Sequence, residues 1–231
     1  FGLKDLNFSI DPGEKVAIVG ENGAGKTTIV KLLLGLYDVS AGQILFNDKP
    51  MNKYNLNVLR NTIGVAFQDT NIYALTLDEN LQLYGENDEE ATDLIEEKFG
   101  IKKILEKNNA TSSDVMTREF DEKGIMVSGG EAQRIAVARL AMKKFKLIIL
   151  DEPSSALDPI AEYELNKLLV DSIKDTTTIM IAHRLSSVRN MDKILVMENG
   201  ALKEMGTHDE LMRLGGLYYE MFTKQAENYK L

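Results

Sequence analysis

The sequence predicts an α/β domain: a largely parallel sheet covered by helices on both faces, with a helical insertion. Three observations predict it. A glycine-rich stretch, Gly20-Glu21-Asn22-Gly23-Ala24-Gly25-Lys26-Thr27-Thr28, lies between an apolar run suited to a buried strand and an apolar helix. Further short apolar runs, Leu147-Ile148-Ile149-Leu150 and Thr178-Ile179-Met180-Ile181-Ala182, alternate with helical segments, as in strand-helix-strand units. From about residue 69 to 123 the composition changes to acidic, helix-forming sequence, which reads as a subdomain set into the core.

In chain order, Leu3, Leu6, Phe8 and Ile10 read as a first strand, and Lys15-Val16-Ala17-Ile18-Val19 as the buried strand before the glycine-rich loop. The helix after the loop carries Ile29, Val30, Leu32, Leu33 and Leu34. Gln43-Ile44-Leu45-Phe46 and Ile63-Gly64-Val65-Ala66-Phe67 are further strands, the former running into Asn47-Asp48. In the acidic stretch, Asn87 or Asp88 is an N-cap before Glu89, Glu90, Leu94 and Ile95, and Ile101-Lys102-Lys103-Ile104-Leu105 is a second helix. Ser128-Gly129-Gly130-Glu131 opens a helix carrying Ala132, Ile135, Ala136, Val137 and Leu140. Asp158-Pro159 is an N-cap followed by proline at the first helical position. Asn199-Gly200, between Lys193–Met197 and Ala201–Lys203, is a type I′ hairpin signal.

The chemistry gathers at a few of these joints. The loop fits G-x-x-x-x-G-K-[ST]: its glycines let backbone N–H groups turn inward around phosphate oxygens, Lys26 brings a point charge to them, and the Thr27 hydroxyl can ligate Mg²⁺. Asp151 and Glu152 follow the run 147–150 and so stand at the carboxyl end of a buried strand, where α/β sheets bind ligands. Asp151 is the metal partner, a hard oxygen ligand for a hard cation, and Glu152 is placed to orient or deprotonate an attacking water. Ser128 and Glu131 form a capping box, which leaves two glycines in the first turn unexplained, since each costs about 1 kcal/mol of helix propensity. They make sense where an anion approaches the backbone, so Ser128, Gly129, Gly130 and Glu131 read as a second phosphate-binding surface.

Composition narrows the class. A formal net charge of −9 argues against nucleic acid as a partner, because backbone binding needs a basic face. There is no cysteine, hence no disulfide framework and no thiolate metal site. No stretch approaches the ~20 apolar residues of a membrane-spanning helix. The chain begins with Phe on an apolar run and is expected to be a piece of something longer.

The glycine-rich loop, Gln68, Val127-Ser128-Gly129-Gly130-Glu131, Asp151-Glu152, Ser155-Ala156-Leu157-Asp158 and His183 occur in the order seen in nucleotide-binding domains of ATP-binding cassette (ABC) transporters, which this chain resembles over nearly its whole length. Gln68-Asp69-Thr70, residues 117–124, and Gly206-Thr207-His208-Asp209-Glu210-Leu211 followed by Gly216-Leu217-Tyr218 look like the exporter branch, in which a membrane domain precedes this domain. The resemblance implies a P-loop NTPase (RecA-like) core with an antiparallel β subdomain, spanning 1–68 and 136–231, and a helical subdomain, 69–135, bearing the signature motif. It implies ATP and Mg²⁺ as ligands, with Thr27, Gln68 and Asp151 around the metal and Gln68 also sensing the membrane domain. Lys26, Glu152 and His183 would be catalytic, His183 at the γ-phosphate. Ser128, Gly129 and Gly130 would bind that phosphate in trans, and Ser155 and Asp158 would contact a second nucleotide-binding domain. The place implied is the cytoplasmic face of a membrane. Two departures stand out: Val127 and Glu131 replace the usual Leu and Gln of the signature, and the aromatic residue on which the family stacks adenine lies upstream of the strand that opens here. His208 keeps a structural reading, after the capping pair Thr207 and Glu210. The competing expectation is a soluble ABC-type ATPase of DNA maintenance or translation; the absence of sustained heptads, the single cassette and the acidic balance weigh against it.

Overall fold

A computed structural model describes residues 2–67, 71–85, 89–152, 164, 165, 167–169, 172 and 175–227. The chain divides into two compact units, one of Phe1–Val65, Phe145–Glu152 and Thr176–Leu231, the other of Ala66–Lys144 and Pro153–Asp175.

The first unit is organised by β1 (Lys15–Gly20), whose residues Val16 to Val19 are fully buried. After a short hairpin of β2 (Leu45–Phe46) and β3 (Lys49–Pro50) come β4 (Ile63–Ala66), β5 (Leu147–Asp151), β6 (Thr177–Ile181), β7 (Lys193–Glu198) and β8 (Ala201–Gly206). The described residues form a sheet ordered β4-β5-β6-β1-β7-β8. Ala17 pairs with Met180 on one side and Ile194 on the other, so β1 is central, and β5, β6, β1 and β7 all run parallel. Strands apolar on both faces suit such a sheet, since each face must be covered. β8 returns antiparallel through Asn199 and Gly200, at φ 50° and 79°, the left-handed pair a type I′ turn requires.

Helix α1 (Lys26–Leu33) packs Ile29 and Val30 against Val16, Ile18, Ile149, Ile179 and Ile181. Eight residues are too few to hold a helix in water, so α1 exists by this burial. Its C-terminal end is closed by Arg60, from α2 (Leu56–Arg60), which donates to the carbonyls of Leu34 (2.8 Å) and Gly35 (2.9 Å).

The apolar run at the start of the chain departs from its reading as a strand. Leu3, Leu6, Phe8 and Ile10 do pack against the core, but residues 2–10 form no strand. Asp5 sits at φ 48°, which breaks an extended run, and the Lys4 N–H is held by the Gly200 carbonyl at 2.8 Å. The strand read at 43–46 likewise shortens to Leu45–Phe46.

In the second unit α3 (Leu77–Leu81), α4 (Glu89–Lys98), α5 (Ile101–Lys107) and α6 (Gly129–Ala141) bury Leu77, Leu81, Ile101, Ile135 and Leu140. Arg139 of α6 is 6% exposed and donates to the carbonyls of Asn80 and Asn71 (2.8 Å each) and to Asn80 Oδ1 (2.7 Å). A buried cation is tolerated when such acceptors surround it. The expected N-cap at Asn87 or Asp88 and the cap at Asp158 lie outside the described residues.

Candidate functional site

Because β5, β6 and β1 are adjacent and parallel, their carboxyl ends deliver three chain segments to one edge of the sheet: the loop 20–26, the pair Asp151 and Glu152, and the stretch 182–184. The loop's shape is set by its glycines. A Cβ on Gly20 would run into the Met197 carbonyl oxygen, whereas at Gly23 there is open space but φ is +80°. The neighbouring hairpin braces the loop, with the Gly200 N–H donating to the Ala24 carbonyl at 3.1 Å. Gly25, at φ 103°, precedes α1 without any side-chain cap, and the helix's first turn carries no acid. No N-cap side chain therefore covers its first N–H groups.

Lys26 is 6% exposed, and its ammonium donates to the carbonyls of Gly20 (2.8 Å) and Glu21 (3.1 Å). Burial pulls its pKa below the ordinary lysine value, and the carboxylates of Glu152 and Asp151 pull it back. Asp151, 5% exposed, answers in kind: burial and the adjacent Glu152 push its carboxyl up, while a hydrogen bond from the Thr27 side chain and the charges of Lys26 and His183 restrain the rise. Glu152 leaves the strand at φ 53°, a left-handed conformation rare for a residue with a Cβ, held by its N–H on the Ile181 carbonyl at 3.2 Å. The turn brings Glu152 Oε1 against His183 Nε2. Sequence spacing supplies no signal for Gln225, whose side chain donates to the His183 carbonyl at 2.7 Å and accepts from the Leu185 N–H at 2.9 Å.

In the second unit the start of α6 is exposed at Ser128 and Gly129. Ser128 and Glu131 make both halves of a capping box: the Ser128 N–H donates to Glu131 Oε2 at 2.7 Å, and the Ser128 side chain accepts from the Glu131 N–H at 3.4 Å. Lys107 reaches Glu131 Oε1 at 2.8 Å. Partial burial raises the Glu131 carboxyl, but the hydrogen bonds from Lys107 and Ser128 outweigh it and hold it below the usual carboxylate range. His208 is buried, with Nδ1 2.8 Å from the Tyr218 hydroxyl, in keeping with its structural reading. Gln68, Ser155 and Asp158 lie outside the described residues.

The family described as ABC transporter matches residues 3–155. The chain belongs to that family. Among ABC relatives, the putative multidrug export ATP-binding/permease protein YgaD of Bacillus subtilis is 38% identical over 98% of this chain and 38% of its own length. The subtilin transport ATP-binding protein SpaT of B. subtilis is 40% identical over 98% of this chain and 37% of its own. The mitochondrial iron-sulfur clusters transporter ATM1 of Saccharomyces cerevisiae is 38% identical over 97% and 33%. This ABC chain thus spans well under half the length of the curated relatives it matches. A solved structure of a bacterial Atm1-family ABC exporter with ATP bound superposes with a TM-score of 0.87 at 34% identity, over 97% of this chain and 39% of that one. The mixed α/β architecture with its central parallel sheet is accordingly the P-loop NTPase fold of ABC proteins.

Proposed function

We propose that this chain is the ATP-binding and ATP-hydrolysing motor domain of a membrane exporter, and that it works as a head-to-tail dimer closing on two ATP molecules. The observation that carries the reading is the meeting of the uncapped start of α1, Lys26, Asp151, Glu152 and His183 at one end of a parallel sheet. The names of the similar proteins, exporters and ATP-binding transport proteins, favour transport over a soluble ATPase.

In this reading the phosphates of ATP take the place that the carbonyls of Gly20 and Glu21 hold on Lys26, and the first N–H groups of α1 donate to them. The donors fit Mg²⁺. The Thr27 hydroxyl hydrogen-bonds the Asp151 carboxylate, which sets two hard oxygens side by side, and burial beside Glu152 leaves Asp151 short of positive charge. Among the described residues no group of three or more acidic, histidine or cysteine side chains could hold a metal alone, as suits an ion that keeps waters and phosphate oxygens. Bound there, Mg²⁺ would neutralise charge on the β- and γ-phosphates, with Gln68 completing its surroundings. Glu152 orients and deprotonates the attacking water, and His183, in contact with that carboxylate, turns to the γ-phosphate. The start of α6 at Ser128, Gly129 and Gly130, exposed at the first two, serves the ATP of the partner subunit, with Ser155 and Asp158 at the dimer contact.

No helix of the described residues is long and apolar enough to cross a membrane. In this reading, supported by the exporter names of the similar proteins, the membrane domain of the same transporter is a partner and the cassette lies on the cytoplasmic face. The test is Glu152→Gln, which keeps the shape and removes the base: turnover should fall by a factor on the order of 10² to 10⁴ while ATP still binds. Turnover near that of the unaltered protein would remove Glu152 from this role.

A further inference from the structure

We propose that Gln225, near the end of the last helix, is a positioning residue for His183. The proposal rests on the ATPase reading above and deepens it. Gln225 lies in α8 (Leu217–Glu227), 42 residues from His183 and 40 from Leu185. Its single amide engages both peptide groups that flank Arg184. Nε2 donates to the His183 carbonyl at 2.7 Å, and Oε1 accepts from the Leu185 N–H at 2.9 Å. A glutamine used this way imitates a neighbouring strand, giving one donor and one acceptor to a backbone that has just left β6.

The stretch it grips needs such a hold. On one side the Ala182 N–H reaches the Ile18 carbonyl at 3.4 Å, and on the other the short 3₁₀ turn Leu185–Val188 buries Leu185 and Val188. Between these anchors the His183 side chain is 45% exposed, so packing restrains it little. Its contact with Glu152 depends on where the backbone carries it. Fixing the carbonyl of 183 and the N–H of 185 holds the backbone on the C-terminal side of His183, as the Ala182 N–H on the Ile18 carbonyl holds it on the other.

The helix that brings Gln225 is itself held. Glu204 of β8 accepts from the N–H groups of Leu217 (2.5 Å) and Tyr218 (3.0 Å), closing the helix start with a carboxylate. Tyr218 is fully buried, with its hydroxyl on His208 of α7 (His208–Leu214), and its ring stacks with Phe222. Positions 218, 222 and 225 follow helical spacing, so Gln225 belongs to the face that Tyr218 anchors. The chain of contacts then runs from Glu204 and Tyr218 through α8 to Gln225, the backbone at 183–185, His183 and Glu152.

The test uses the 231-residue chain with Gln225→Leu, which keeps the size and removes both hydrogen bonds, in unaltered and His183→Ala backgrounds, with Glu152→Gln as control. Gln225→Leu should lower kcat about tenfold, within the range that a misplaced group costs. The Kd for ATP should change less than about twofold, and Tm should hold within about 2 °C. Hydrogen exchange of the Leu185 amide should speed up about tenfold, with exchange in β1 and β6 unchanged. In the His183→Ala background Gln225→Leu should have no further effect on kcat. A merely structural role would instead lower Tm, weaken ATP and slow turnover whether or not His183 is present; that result overturns the proposal, as does an unchanged kcat. Gln225→Glu, which keeps the acceptor for the Leu185 N–H and lacks the donor, should slow Leu185 exchange relative to Gln225→Leu and give an intermediate kcat, and it carries the test if the leucine variant does not fold. If Glu152→Gln leaves turnover intact, the ATPase reading fails; if it abolishes turnover and Gln225→Leu does nothing, only the positioning role fails.

Discussion

The two helix starts that face the proposed ATP sites are built in opposite ways. The start of α1 has no capping side chain, no acid in its first turn, and a lysine drawn back onto the loop's own carbonyls. The start of α6 carries a capping box: the Glu131 carboxylate holds the Ser128 N–H and receives Lys107. The first has no side-chain cap of its own. The second is a stable helix end that offers whatever N–H groups the cap leaves. The difference matches their sequences: glycines at 20, 23 and 25 let the loop turn at positive φ, while Gly129 and Gly130 keep side chains away from the capped end.

The largest expected effect tests whether both starts serve hydrolysis. Lys26→Ala removes the buried charge at the first, and Gly129→Asp puts a carboxylate where the second would meet phosphate. Each should nearly abolish ATPase activity in a homodimer, by about 10³-fold, the range found when a single charge-stabilising donor is lost. Mixing the two variants should restore part of the activity. One mixed site carries both lesions, while the other joins the intact loop of one subunit to the intact α6 start of its partner. Recovery should grow with protein concentration, because the subunits meet by mass action. Activity per molecule that stays flat on dilution of a monomeric protein would break the comparison and return Ser128–Gly130 to capping alone.

A second, smaller effect separates binding from stability at the α1 start. Asp151 is a buried acid whose carboxyl is pushed up by burial and by Glu152. A group with a raised folded pKa adds stability that is complete below its unfolded value and lost as the pH rises through the folded one. Without metal, Asp151→Asn should therefore unfold no earlier than the unaltered chain at neutral pH, and its stability should fall less as the pH rises from the acid range. Turnover with Mg²⁺ and ATP should drop by about 10²-fold or more, as for loss of a charge-stabilising contact. Thermal melts across pH, read beside ATPase assays, check both halves; a variant clearly less stable without metal would show that Asp151 is not strained there.

What was legible in the sequence follows the reach of each interaction. The shape of the glycine-rich loop, the capping boxes at Ser128 and Thr207 and the turn at Asn199-Gly200 each depend on a few residues, so their spacing carries their geometry. The parallel sheet was legible because β1, β5, β6 and β7 are apolar on both faces. Leu3, Leu6, Phe8 and Ile10 misled because apolar spacing reports burial, and these side chains are partly buried without a backbone ladder. Gln225 on the loop of His183, Arg139 on Asn71 and Asn80, and Lys107 on Glu131 were invisible. Each partner lies 24 or more residues away, and nothing local distinguishes such a side chain from an ordinary helical one.

The smallest expected effect concerns the charge that the capped start carries. Glu131 sits where the family's signature usually has Gln, and Lys107, whose side chain is 67% exposed, stands against it. Glu131→Gln keeps a residue able to complete the capping box, so Tm should hold within about 2 °C. It also removes a negative charge beside the proposed phosphate surface, so ATP-dependent dimerisation should tighten a few-fold, more at low salt than at high. Lys107→Met works the other way. It leaves the Glu131 charge unbalanced and should weaken dimerisation a few-fold, while costing no more than about 0.5 kcal/mol of stability, as an exposed pair does. The Glu131 carboxyl is held below its usual range, so its contribution to stability is present above its unfolded pKa and is lost as the pH falls through the folded one. Lys107→Met should shrink that acid-side loss, because one of the hydrogen bonds that depress the carboxyl is gone. Sedimentation with ATP at two salt concentrations reads the dimer, and melts between neutral and acid pH read the cap. If Lys107→Met and Glu131→Gln shift dimerisation in the same direction, the charge at this helix start is irrelevant to the nucleotide, and the Lys107–Glu131 pair only closes α6.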